Sequence, residues 1–138
     1  MRARRLLLRA APLLVLPALV AACGGSGGAK TSSSGGDSLA ATGRHLYAAD
    51  GCEDCHTLNG SPGTGPSWKG LYLSRVHLAS GKTVLANAAY LERHIVDPDA
   101  LTVAGFPGQV MGEAIGGEHL GRKPADVRAL VAFIETLR

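Results

Sequence analysis

Apolar residues recur at helical spacing at the start of the longest mixed stretch of the chain. Leu39, Gly43, Leu46 and Tyr47 share one side of the segment 39–50, with polar residues between them. This spacing predicts an amphipathic helix whose apolar side packs inward. Gly51 follows directly, and a glycine at this place favours the end of a helix.

Two more helices are predicted farther along the chain. The second covers residues 88–96 after a capping residue, Asn87. It stops before Pro98, because a residue that precedes proline avoids the helical region. The third begins at Pro124, which suits a first helical turn. The residues expected to face inward from these two helices are Tyr90, Leu91, His94, Ile95, Val127, Leu130, Val131, Ile134 and Leu137.

Glycine, proline and serine interrupt the chain between these helices. Residues 59–66 carry the composition of a loop. Residues 76–78 and 82–84 flank a Ser-Gly pair, a pattern that favours a short β-hairpin. Residues 99–119 contain five glycines and one proline. The pattern therefore predicts an all-α fold that allows one short β-hairpin.

The first 22 residues have the pattern of an export signal. An apolar run at 10–22 follows a basic start, and it is shorter than the roughly 20 apolar residues that cross a bilayer. A basic start, a short apolar run and small residues before a cut site are typical of a secretory signal peptide. The arginines of the basic start are Arg2, Arg4, Arg5 and Arg9.

Residues 20–23, Val-Ala-Ala-Cys, resemble a bacterial lipoprotein signal, in which the cysteine becomes the lipidated first residue of the mature chain. Cys23 is therefore predicted to anchor the protein at the outer face of the bacterial cytoplasmic membrane. The alternative is an ordinary signal cut nearby, which leaves Cys23 as a free thiol. Residues 24–38 are rich in glycine and serine and predict a flexible linker, which leaves 39–138 as a single domain.

The charge of the whole chain gives a misleading impression. The sequence pI is near 9.0. However, four of the 14 Lys and Arg residues lie in the predicted signal, so 10 basic and 11 acidic residues remain, a net charge of −1. The charges alternate in sign along the domain. This distribution gives no support for a nucleic-acid partner.

Residues 52–56 read Cys-Glu-Asp-Cys-His, which is the attachment signature of a c-type haem. Two thiols three residues apart on one turn can each bond to a vinyl group on the same edge of a porphyrin. Cys52 and Cys55 are therefore predicted to form the thioethers of one covalent haem c, with His56 as the proximal ligand of its iron. The alternatives are a redox dithiol or half of a zinc site. No second Cys pair exists to complete a zinc site, and no βαβ pattern accompanies the dithiol.

Met111 is the predicted second axial ligand. It is the single methionine after the signal and lies in a Gly/Pro-rich stretch, unlike a core methionine among leucines. Ligation by His and Met raises the reduction potential relative to two His ligands. The alternatives are a packing methionine with a five-coordinate iron, or ligation by His94 or His119.

These motifs together resemble the monohaem class I cytochrome c family. The family pattern is carried by Gly43-x-x-x-Tyr47, Gly51-Cys52-x-x-Cys55-His56, Gly65-Pro66, Val110-Met111 and Leu130-Val131-x-Phe133-Ile134. A closer likeness, over residues 65–111, is to the cytochrome c domain fused to subunit II of some haem-copper oxidases. That likeness is carried by residues 65–72, 81–84, Tyr90-Leu91, Ile95-x-Asp97-Pro98 and Gly105-Phe106-Pro107.

The resemblance implies further roles. The carbonyl of Pro66 is expected to accept a hydrogen bond from His56 and to orient its ring. Trp68 is expected at the haem edge with its N–H toward a propionate, the alternative being an ordinary core tryptophan. Gly43 and Phe133 are expected to meet where the first and last helices cross, and Tyr47 is expected to belong to the same contact.

Two departures from the family pattern stand out. Gly112 follows Met111 where the family usually has proline, which leaves the ligand segment less restricted. In addition, a signal and a linker stand where the oxidase subunit carries a membrane-bound copper domain.

The function implied is that of a membrane-tethered electron carrier with both axial positions filled, not of an enzyme. Its expected partners are a quinol-oxidising complex and a terminal oxidase. One alternative is a haem-bearing electron-entry subunit fixed in an oxidoreductase complex. Another is a haem sensor or weak peroxidase with an open iron position.

Overall fold

The computed structural model describes residues 34–115 and 123–138. The predicted signal peptide, the predicted lipidation site at Cys23, linker residues 24–33 and His119 lie outside the described residues. The α-helices and β-strands of the described part are α1 Ser34–Ala49, β1 Arg75–His77, β2 Thr83–Leu85, α2 Ala88–Val96, α3 Val110–Ala114 and α4 Pro124–Thr136. Two short 3₁₀ helices cover Cys52–Asp54 and Pro98–Leu101.

The described residues are mostly helical with one two-stranded sheet, which confirms the predicted fold class. The strands pair antiparallel with Val76 opposite Val84. Both strands lie within one residue of their predicted places. Val76 turns inward and is buried, while its neighbours on the strand are exposed.

Helix α1 packs along α4, and this contact brings the two ends of the described domain together. A Cβ atom at Gly43 would lie 1.9 Å from the backbone oxygen of Ala129 and 2.8 Å from Cβ of Phe133. The two backbones therefore approach closely enough that only glycine fits, as expected for this crossing. Tyr47, one turn after Gly43, packs against Phe133 with ring centroids 5.9 Å apart. Leu39, one turn before Gly43, was predicted on the same inward side but is 38% exposed.

The first helix begins at Ser34, five residues before the predicted domain start at Leu39. It includes part of the segment whose glycine and serine content predicted a linker. Two local features favour the extension. Asp37 places a negative charge in the first turn, where the helix dipole favours it. The hydroxyl of Ser38 donates to the carbonyl of Gly35 at 2.9 Å.

Helix α2 covers the predicted residues. The Asn87 side chain accepts a hydrogen bond from the Tyr90 N–H at 2.9 Å, which caps the first turn. Tyr90, Leu91 and Ile95 are buried, as their spacing predicted. The helix ends at Val96, ahead of the proline that begins the second 3₁₀ helix.

The core lies between α4, α2 and the segment that follows Cys55. Its most deeply buried large side chains are Leu130 and Ile134, both on α4. No helix of the described residues is long and apolar enough to cross a membrane.

Candidate functional site

The two cysteines of the Cys-x-x-Cys-His segment lie on one tight turn. Gly51 adopts the left-handed backbone conformation at φ 70°, which ends α1 and starts the 3₁₀ helix Cys52–Asp54. The amide of His56 donates to the carbonyl of Cys52 at 2.9 Å. Both cysteines are free thiols and half-buried, so the turn presents two sulfurs and an imidazole from a single stretch of backbone.

The imidazole of His56 is held in one orientation. The residue is 8% exposed, and Nδ1 lies 2.8 Å from the carbonyl oxygen of Pro66. Because a carbonyl only accepts, the N–H sits on Nδ1 and Nε2 keeps a free electron pair. This is the contact that the resemblance implied, and it is the usual way in which a protein orients a metal-binding histidine.

Gly65 forms a backbone cradle beneath the same ring. A Cβ atom there would lie 2.6 Å from Cε1 of His56 and 2.9 Å from its Nδ1. The loop is tied back to the cysteine turn, because the Gly65 amide donates to the carbonyl of Cys55 at 2.9 Å. Glycine is required here by close approach to the ring and not by backbone conformation.

An aromatic cluster supports the histidine from the core side. The hydroxyl of Tyr47 donates to the backbone carbonyl of His56. Trp68 is 4% exposed, with its ring centroid 4.9 Å from that of Tyr47 and 5.3 Å from that of His56. Trp68 therefore packs in the core and also touches the histidine side of the site.

Two adjoining cavities, of about 270 and 260 Å³, open next to His56. Cys52 and Cys55 line the first, while His56, Trp68 and Met111 line both. Together the cavities provide space in the range that cofactor sites occupy. The other residues common to both linings are Pro66, His94, Ile95 and Val103.

Met111 lies on α3, a helix of five residues that the sequence pattern did not predict. Gln109 precedes it with φ 68°, the left-handed conformation that non-glycine residues rarely adopt. A Cβ atom at Gly112 would lie 2.9 Å from a carboxylate oxygen of Asp99, so this turn of α3 runs close to the second 3₁₀ helix. The structure thus brings Met111 and His56 to the same cavities from opposite halves of the sequence.

The acidity of Cys52 argues against the redox-dithiol interpretation. Burial, followed by the nearby carboxylate of Asp50, raises the pKa of the Cys52 thiol to about 11. A reactive dithiol needs a thiolate near neutral pH, which requires a lowered pKa. Cys52 is instead a neutral thiol at pH 7.

The zinc interpretation also gains no support. Within residues 34–115 and 123–138, no three His, Cys, Asp or Glu side chains are grouped as in a metal centre. A closed zinc site needs four such ligands.

His94 is the second imidazole that lines both cavities, and His77 lines the second cavity alone. Burial lowers its pKa, the neighbouring His56 lowers it further, and the backbone carbonyl of Leu101 offsets part of that change. The pKa of His56 is also lowered by burial, with the Pro66 carbonyl acting in the opposite direction. Both rings are therefore neutral at pH 7.

The residues of this site fit a c-type haem. Two thiols, a fixed imidazole with a free Nε2 pair and a thioether surround one largely apolar space. A family model for cytochrome c matches residues 40–138. The chain belongs to the cytochrome c family. No match was found among curated proteins.

Membership of this cytochrome c family gives the cofactor and the general activity. The family binds haem c covalently through cysteines, which stand here at Cys52 and Cys55, and it carries electrons by means of that haem.

Two contacts of the cytochrome c site were not predicted from the sequence. Tyr47 was expected only at the helix crossing, yet its hydroxyl also bonds the backbone of His56. Asp50 was assigned no role, yet its charge acts on Cys52. The effect of Asp50 could have been predicted, because this residue lies two positions before the motif. The contact of Tyr47 with His56 could not, because it depends on tertiary packing.

Proposed function

We propose that this protein is a monohaem electron carrier, tethered by a lipid on Cys23 to the outer face of the bacterial cytoplasmic membrane. The observation that carries the proposal is the pairing of His56 with Met111. A rigidly oriented imidazole and a thioether line the same two cavities, next to the two thiols of the attachment motif.

Each residue has a defined task in this proposal. Cys52 and Cys55 hold the haem through thioether bonds, and the bound haem supplies one-electron oxidation and reduction. His56 would bind the iron through Nε2, because its Nδ1–H donates to the Pro66 carbonyl. Met111 would supply the second ligand of the iron, and thioether ligation would favour the reduced form and raise the potential.

Trp68 has two tasks. Its ring packs against Tyr47 and His56 and keeps water from the histidine side. Its indole N–H, a donor without acceptor capacity, bonds a haem propionate.

The proposed partners are a quinol-oxidising complex as donor and a terminal oxidase as acceptor. The likeness of residues 65–111 to an oxidase-fused domain supports the oxidase. Asp50, Asp54 and Asp99 line the first cavity, and within residues 34–115 and 123–138 no Lys or Arg lines it, while Arg75 lines the second. An acidic surface at this place suits brief, salt-sensitive encounters with a basic surface on a partner.

The deciding experiment is to produce the full chain in a bacterial host that attaches c-type haem. Mass spectrometry is expected to show one covalent haem. The oxidised protein is expected to show the weak far-red charge-transfer band of a Met-ligated iron, and the reduced protein is expected to exclude carbon monoxide. Rapid carbon monoxide binding by the unmodified protein would instead identify an open-site sensor or weak peroxidase.

The tether and the association with partners are tested separately. Cys23→Ser is expected to release the protein from membranes without changing its visible spectrum. If the lipidated protein leaves detergent-solubilised membranes only together with other chains, it is a fixed electron-entry subunit and not a free carrier.

A further inference from the structure

His94 lies on the cavity wall as a half-buried imidazole with one buried ring nitrogen that makes no hydrogen bond within the described residues. Its Nδ1 is buried and has no hydrogen-bond partner in the described part of the chain. The ring lines both cavities, together with His56 and Met111. Most buried polar atoms in proteins have a partner, so an unpaired one beside a cofactor cavity calls for a function.

The ring of His94 is held in place by well-packed neighbours. It stacks on Tyr90 with ring centroids 5.5 Å apart and an interplanar angle of 20°. Leu91 and Ile95, on the same helix, are buried in the core. Helix α2 itself packs against α4. His94 therefore keeps its place independently of the segment that carries Met111.

Met111 is held differently. Its helix α3 has five residues, none of them buried, and makes its main contacts with the 3₁₀ helix Pro98–Leu101. Helices this short have little stability of their own in water. The thioether can therefore leave its position at a smaller cost than the imidazole of His94.

We propose that His94 is an alternative axial ligand, whose imidazole takes the iron position opposite His56 whenever the thioether of Met111 is withdrawn. The inference rests on the proposed haem site. One iron–sulfur bond breaks and one iron–nitrogen bond forms, with no change in the number of electrons.

This exchange gives the carrier two potentials. Two imidazole ligands stabilise the oxidised iron relative to one imidazole and one thioether, so the potential falls when His94 binds. In the low-potential form the protein accepts electrons less readily, while the iron remains six-coordinate and closed to small ligands. Loss of Met111 then changes the potential of the carrier but does not convert it into an open-site haem protein.

The test compares Met111→Ala with the double variant Met111→Ala/His94→Ala, both as haem-loaded full chains. Met111→Ala is expected to lose the far-red band yet to keep a low-spin spectrum and to exclude carbon monoxide. The double variant is expected to lose the low-spin spectrum and to bind carbon monoxide rapidly. The control double variant, Met111→Ala/His45→Ala, removes an exposed histidine of α1 and is expected to behave like Met111→Ala.

Two outcomes would overturn the inference. In one, Met111→Ala is already high-spin and binds carbon monoxide as rapidly as the double variant. In the other, the double variant stays low-spin. The single variants His94→Ala and His94→Phe, which keep Met111, are expected to retain the far-red band and to show that the position tolerates substitution. The proposed function fails on a different result, the absence of that band from the unmodified protein.

Discussion

The two sides of the haem cavity are built in opposite ways. On the His56 side, the imidazole is fixed by a backbone carbonyl, a glycine cradle and an aromatic cluster that belongs to the core. On the Met111 side, the proposed ligand lies on one short turn of helix that packs against another short turn. The contacts of His56 belong to the hydrophobic core, whereas the helix that carries Met111 has no buried residue.

This difference shows where precision is required. A histidine has two ring nitrogens and needs a second contact to select one of them. A thioether carries no hydrogen and needs only to be placed within reach of the iron. The His56 side therefore depends on several close backbone contacts, while the Met111 side tolerates glycine at position 112.

The largest expected effect comes from the support of the His56 side. Gly43→Ala forces a Cβ into the backbone of α4, and helices α1 and α4 have to separate. Overpacking of this kind costs about 1–3 kcal/mol or more, so we expect the midpoint of thermal unfolding to fall by roughly 10 °C.

Gly36→Ala is the matched control for that prediction. It lies on the same helix with nothing within 4 Å of the added Cβ, so it is expected to be neutral or slightly stabilising. Equal loss of thermal stability in both variants would contradict the role of the crossing with α4, because helix propensity alone favours alanine at both positions.

The next prediction compares a glycine-to-alanine substitution on the His56 side of the cavity with one on the Met111 side. Gly65→Ala places a Cβ against the His56 ring, and neither the ring nor the backbone can move away because both are fixed. We expect a loss of about 1–3 kcal/mol in the free energy of unfolding. We also expect less haem bound per mole of protein. Gly112→Ala meets only the end of the exposed Asp99 side chain, which can rotate away. Haem content per mole of protein distinguishes the two, and a comparable loss in Gly112→Ala would contradict the asymmetry.

A smaller effect is expected from Tyr47→Phe. The substitution keeps the ring contacts with Trp68 and Phe133 and removes the hydrogen bond to the His56 carbonyl. A lost buried hydrogen bond costs about 1–2 kcal/mol. Chemical denaturation measures this cost, while the far-red band, which reports on Met111, should be unchanged. Loss of the band would show that the two sides are coupled through Tyr47.

The smallest expected effect concerns the dependence of thermal stability on pH. The pKa of His94 is lowered in the folded protein, so the unfolded chain binds a proton first as pH falls below about 6.5. Stability from the neutral ring is complete above that pH and declines below it. His94→Gln should therefore lose less thermal stability than the unmodified protein between pH 7.5 and 5. His45→Gln serves as the control, and an unchanged pH dependence in His94→Gln would refute the role of burial.

The elements that local signals define were predicted well. Asn87, the proline at 98 and the proline at 124 set the ends of α2 and the start of α4, because caps and prolines act within one turn. The attachment motif could be recognised for the same reason, because Cys52, Cys55 and His56 are close neighbours in the chain.

The remaining features depend on contacts between distant segments. Helix α3 escaped prediction because five residues give too short a pattern, and glycine at 112 disfavours a helix in isolation. The special position of His94 follows from the packing of α2 against the cavity, although its inward spacing was a partial signal. Predicted roles of Cys23 and His119 lie outside the described residues.

The crossing of α1 with α4 also sets an order of events during biogenesis. A polypeptide emerges from the ribosome or an export channel beginning at its N-terminus, so the Cys-x-x-Cys-His turn becomes available while the partner of α1 is still unmade. Attachment enzymes can therefore reach both thiols on an open chain. Helix α4, which carries Ala129 and Phe133, is made later than α1. It then packs against Gly43 and completes the fold around the haem.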